Sequence, residues 1–88
     1  MRQEDLKIYN EIEKILWNDW DPIGVNDNES ARDEYYSYIP EIFKLKKTGA
    51  DKEVIAKRLD EIATKEMGLF SNIEHSRKIA DKIISLTQ

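Results

Sequence analysis

Apolar side chains recur at spacings of three and four along almost the whole chain, and nowhere do they alternate long enough to build a strand. That pattern commits the chain to helices packed on helices. Leu6, Tyr9, Ile12 and Leu16 form a first stripe, widened by Ile8 and Ile15, and predict a helix over about residues 3–18. A segment rich in Asp, Asn, Pro and Gly follows, over residues 19–30, where Pro22 biases Asp21 away from the helical region. Ser30, with Asp33 three positions on, has the form of an N-terminal cap for a second helix. That helix would bury Tyr35, Tyr38, Ile39, Ile42 and Phe43, kink at Pro40 and stop at Gly49.

The third helix has the clearest signals. Asp51 is placed to cap it, Ile55, Leu59, Ile62 and Ala63 make its inner stripe, and Gly68 closes it. Its outer face alternates Glu53, Lys57, Glu61 and Lys65, a pattern suited to solvent. Ser71-x-x-Glu74 has the form of a capping box for a fourth helix, with Phe70 ahead of it as a staple. Ile73, Ala80, Ile83, Ile84 and Leu86 would face inward. The short connections between helices 2, 3 and 4 favour antiparallel neighbours. The expectation is an all-α fold: one domain over residues 1–88, a compact bundle of four helices with a long acidic loop between helices 1 and 2.

Composition narrows the chemistry. Hydrophobic residues make up 40% of the 88 positions and charged residues 36%, the balance of a globular domain that buries roughly 64% of its unfolded surface. The longest run without a charge, Met67 to Ile73, is far short of a membrane span. The charged N-terminus MRQEDLK does not read as a secretion signal, so a cytoplasmic location is expected. With no cysteine and a single histidine, His75, disulfide frameworks, thiolate nucleophiles and multi-histidine metal centres are excluded. Three scattered glycines make no phosphate-binding loop, and no cofactor motif is present.

The net charge of −4 conceals an asymmetry: residues 1–44 carry −6 and residues 45–88 carry +2. The acid excess gathers at Asp19, Asp21, Asp27, Glu29, Asp33 and Glu34, opposed only by Arg32. Nucleic acids and anionic membranes demand the opposite sign, whereas a basic protein surface would be steered to this end. Calcium fits less well. An EF-hand-like loop begun at Asp19 would place Asp21 and Gly24 correctly, but puts Ile23 at the fifth position and Ser30 where a bidentate Glu is required. His75 and Ser71 lie one helical turn apart, but nothing in the sequence orients the imidazole.

One constellation stands above this background: Leu16-Trp17-x-x-Trp20-Asp21-Pro22-Ile23-Gly24-Val25, followed by Asp33-Glu34-Tyr35-x-x-Tyr38-x-Pro40. Between Trp17 and Tyr38 lie both tryptophans and three of the four tyrosines. Such aromatics either anchor a small core, their polar tips bonded to neighbouring carboxylates, or form a protein-binding surface. With the later Met67-Gly68-Leu69, this pattern resembles a family of short uncharacterised bacterial proteins bearing an L-W-x-x-W-D-P-I-G-V motif and then D-E-Y-x-x-Y-x-P. Trp17, Trp20, Asp21, Pro22, Gly24, Asp33, Glu34, Tyr35, Tyr38 and Pro40 match that motif. The resemblance spans nearly the whole chain and implies an all-helical fold and a bacterial origin, but no activity. It also implies apolar residues near Lys46 and Lys47, where this chain is charged.

The reading that results is a binding protein rather than an enzyme: an interaction module such as a regulator, adaptor or immunity-type inhibitor. It would engage a basic partner protein through Trp17, Trp20, Asp21, Asp27, Glu29, Asp33, Glu34, Tyr35 and Tyr38. The alternative is a carboxylate-based enzyme or metal-binding protein using Asp21, Asp33 and Glu34 with Tyr35 or Tyr38. A third expectation is a homo-oligomer that buries Tyr36 and Ile79, which sit off the main stripes.

Overall fold

The computed structural model describes residues 2–21, 24, 28, 30, 33 and 35–86. Among them there are no strands, and helices account for the architecture. Helix α1 (Gln3–Ile15) runs on into one wider π turn, Leu16–Trp20. A 3-10 turn, Tyr36–Tyr38, leads into α2 (Ile39–Lys47). Helix α3 (Lys52–Glu61) ends in a second π turn, Ile62–Glu66, and α4 (Ile73–Ile84) completes the bundle. The described residues form a slab of 34 × 30 × 17 Å.

Bonds between helices fix the antiparallel order. At the open end of α1, Lys47 of α2 meets Asp5 at 2.8 Å. Arg58 of α3 grips Glu41 of α2 with two nitrogens, one of them at 3.1 Å, and this hydrogen bonding raises the already high pKa of Arg58. Arg77 of α4 reaches Glu53 of α3 at 3.1 Å. Each such exposed pair contributes about 0–1 kcal/mol, so the pairs set register more than stability. Lys46 donates to the Ile84 carbonyl at 3.3 Å, placing a cation at the C-terminus of α4, where the helix dipole favours one. Burial lowers the Lys46 pKa from its ordinary value.

The core is a continuous apolar cluster drawn from all four helices. Helix α1 supplies Ile8, Ile12 and Ile15, α2 supplies Ile39 and Ile42, α3 supplies Ile55, Ala56 and Leu59, and α4 supplies Ile79, Ala80 and Ile83. Asp51 caps α3 as its sequence position predicts, its side chain accepting from the Val54 amide at 3.0 Å. Gly49 ends α2 at φ +82°, where the Ala50 and Gly49 amides return to the Leu45 and Lys46 carbonyls. Gly68 likewise takes φ +69° just beyond the second π turn.

Several expectations need correction. Helix α2 begins at Ile39, not Ser30, and Ser30 instead turns to the Asn28 side chain, to which its hydroxyl donates at 2.6 Å. Pro40 therefore sits in the first turn of α2, where its missing N–H costs nothing, and produces no mid-helix kink. The cap of α4 is Asn72, whose side chain accepts from the His75 amide at 3.2 Å, while the Ser71 hydroxyl donates to Asp60. Phe70 staples nothing, being 99% exposed. On α4 the inward stripe is Ser76, Ile79, Ala80 and Ile83, so Ile79 is core of its own chain and Ile84 is exposed. Leu6, expected on the α1 stripe, is also exposed.

Candidate functional site

The aromatic cluster is built by the π turn at the end of α1. There the Asp21 amide reaches back five residues to the Leu16 carbonyl, at 3.0 Å, instead of the usual four. The widened turn directs Leu16, Trp17 and Trp20 all into the core. Tyr35 enters from the other side of the loop and packs its ring 6.1 Å from Trp17 and 5.3 Å from Trp20, in tilted geometry. Tyr38 meets Trp20 edge-on at 6.2 Å. Trp17, Trp20 and Tyr35 are each only 2% exposed, so their rings anchor the fold and Tyr38, half-buried, lies at the margin.

The chain leaves the π turn through Asp21, which takes φ 28° and ψ 61°, a left-handed conformation in a non-glycine residue. Such a conformation costs about 1–3 kcal/mol and persists only where the surroundings enforce it. Here the Tyr35 hydroxyl donates to Asp21 Oδ1 at 2.7 Å, a charge-assisted bond across 14 residues of sequence. It closes the base of the acidic loop. Of the predicted site residues inside that loop, Asp33 is exposed and its carbonyl accepts from the Tyr36 amide at 3.1 Å. Asp27, Glu29 and Glu34 lie outside the described residues, as do Pro22, Ile23 and Arg32.

A cleft of about 350 Å³ opens where the two π turns meet the N-terminus of α4. Trp20, Asp21, Asp60, Ala63, Phe70 and His75 are among its lining, which contains no lysine or arginine among the described residues. His75 Nε2 lies 3.0 Å from the Trp20 carbonyl. A carbonyl can only accept, so Nε2 carries a proton and donates it. Asp60 accepts from the Ser71 hydroxyl at 2.7 Å and from the Asn72 amide at 2.9 Å. A polar relay thus ties the ends of α1 and α3 to the start of α4.

The hydroxyl and imidazole groups around the cleft are already engaged. His75 holds a backbone carbonyl rather than a hydroxyl nucleophile, Ser71 is engaged by Asp60, and Ser76 is buried. Among the described residues no group of three or more His, Cys, Asp or Glu side chains is placed to hold a metal ion. No described helix is long and apolar enough to cross a membrane. A broader depression of about 500 Å³ runs past Leu6, Asn10 and Lys14, but α1 supplies all its described walls and nothing converges there.

The sequence alone did not point to Asp60 or Asn72, gave His75 no partner and gave Phe70 only a stapling role. Asn caps helices as well as Ser does, so the Ser71-Asn72 pair was ambiguous, and the carboxylate that claims Ser71 lies on another helix. His75 contacts a residue 55 positions away, a relation no local pattern encodes. Comparison with models of known protein families, with curated proteins and with solved structures returns no match.

Proposed function

We propose that the protein is a small acidic interaction module of the bacterial cytoplasm, belonging with the short proteins that its W-D-P-I-G-V motif resembles. In this reading residues 22–34 form the recognition element. They carry Asp27, Glu29, Asp33 and Glu34 against Arg32 alone, and the partner is a protein with a basic surface. The observation that carries the reading is the Tyr35–Asp21 bond, seated on Trp17 and Trp20, because it pins both roots of the charged segment together. Pinned roots reduce the ordering cost of binding, and clustered carboxylates raise the encounter rate with a cationic partner. The aromatics thereby serve as foundation, and the recognition falls to the acids between them.

The test begins with capture of partners from a bacterial extract and identification of the protein retained. That protein is then titrated against the wild type and against Asp27→Asn/Glu29→Gln/Asp33→Asn/Glu34→Gln, at low and at physiological salt. Affinity is expected to fall for the variant, and wild-type affinity to fall with salt. Equal affinity for both proteins at both salts rejects the loop as the recognition element.

A further inference from the structure

We infer that the cleft beside Phe70 is a second contact point on the same docking surface, receiving a lysine or arginine side chain of the basic partner. The inference rests on the proposed binding function and adds to it a specific pocket and a specific chemistry. Phe70 is the starting observation, since a ring 99% exposed gains nothing from the fold. Its outward position is held from both sides. The Leu69 amide donates to the Ala63 carbonyl at 2.9 Å, and the Ser71 hydroxyl donates to Asp60 at 2.7 Å. The ring is therefore presented on a braced turn at the rim of the cleft.

Charge selects the occupant. Asp60 is met by neutral donors, the Ser71 hydroxyl and the Asn72 amide, each taking one of its oxygens. Each oxygen keeps a second acceptor site, so the carboxylate can still take a guanidinium or ammonium. Asp21 lines the same cleft and immediately precedes the acidic segment in the sequence. A volume of about 350 Å³ accepts one long side chain. Its aliphatic stem would lie on Ala63 and Leu69 while its cation faces Asp60 and the Phe70 ring.

The test is a nitrogen-15 NMR titration of the full chain with acetylated, amidated tetra-arginine, using tetra-citrulline as the uncharged control. Tetra-arginine is expected to cause saturable shifts at the Ala63, Leu69, Phe70 and His75 amides, and tetra-citrulline none. Phe70→Ala, which removes an exposed ring and leaves the core intact, should weaken binding about two- to fivefold. Asp27→Asn/Glu29→Gln/Glu34→Gln should keep the cleft shifts, which separates failure of the loop from failure of the cleft. The inference is overturned by cleft amides that do not move, by an equal response to citrulline, or by unchanged affinity in Phe70→Ala. Shifts around Phe70 that depend on protein concentration without peptide would place a second copy of the chain there and overturn it equally.

Discussion

Helices α1 and α3 end alike, each in one π turn closed by an amide that reaches back five residues, from Asp21 to Leu16 and from Met67 to Ile62. They leave that turn differently. Behind α3 the left-handed position is taken by Gly68, where the conformation is free of side-chain cost. Behind α1 it is taken by Asp21, and strain is accepted so that a carboxylate stands at that point. The α3 exit only has to turn the chain toward α4. The α1 exit must also place a side chain that binds Tyr35 across 14 residues of sequence. The same backbone device is thus a plain connector in one place and an anchored hinge point in the other.

The largest expected contrast lies in the packing beneath each turn. Trp20→Ala should cost about 3–5 kcal/mol in urea unfolding, whereas Met67→Ala, at a half-buried position, should cost clearly less. A larger loss for Met67 would reverse the comparison. Next in size is Tyr35→Phe, which removes one donor to Asp21 and should cost about 1–3 kcal/mol. A double-mutant cycle with Asp21→Asn assigns that cost to the bond, and zero coupling would remove it from the account.

The exits themselves should respond with opposite signs. Gly68→Ala meets no atom within 4 Å of its new Cβ, so its loss of about 1 kcal/mol is backbone strain alone. In a Tyr35→Phe background, Asp21→Gly should be more stable than Asp21→Ala by about 1 kcal/mol, because both lose the carboxylate and only glycine relieves the strain. Thermal melts decide this, and an Asp21→Gly variant no more stable than Asp21→Ala would mean that the site is not strained. An effect of similar size belongs to His75→Phe. It keeps a ring but removes the bond to the Trp20 carbonyl, for about 0.5–1.5 kcal/mol by urea unfolding.

Local signals explain which features could be read in advance. Asp51 and Gly68 bound the third helix by chemistry within a few residues, and both act where their positions predict. The four-helix architecture follows from periodicity, and the shared face of Trp17 and Trp20 from their spacing. The start of α2 did not follow, because the Ser30-x-x-Asp33 pattern competes with a turn at Asn28, and Pro40 fits a first helical turn as well as a kink. The inward stripe of α4 includes Ile79 rather than Ile84, a choice made by the helices it packs against. At the site, the sequence pointed to the aromatics and acids, but that Trp17, Trp20 and Tyr35 are buried while Asp33 is exposed depends on packing. The relay through His75, Asn72 and Asp60 joins three helices and leaves no mark in any one segment.

Both tryptophans of the chain stand in one of the two π turns, Leu16–Trp20. Tryptophan emission is therefore a local gauge, reading the junction of α1 with Tyr35, His75 and the cleft wall rather than the bundle as a whole. Far-ultraviolet dichroism, by contrast, sums over every helix. Melting followed by both probes separates the unlocking of one corner from the loss of the whole bundle, with no label added.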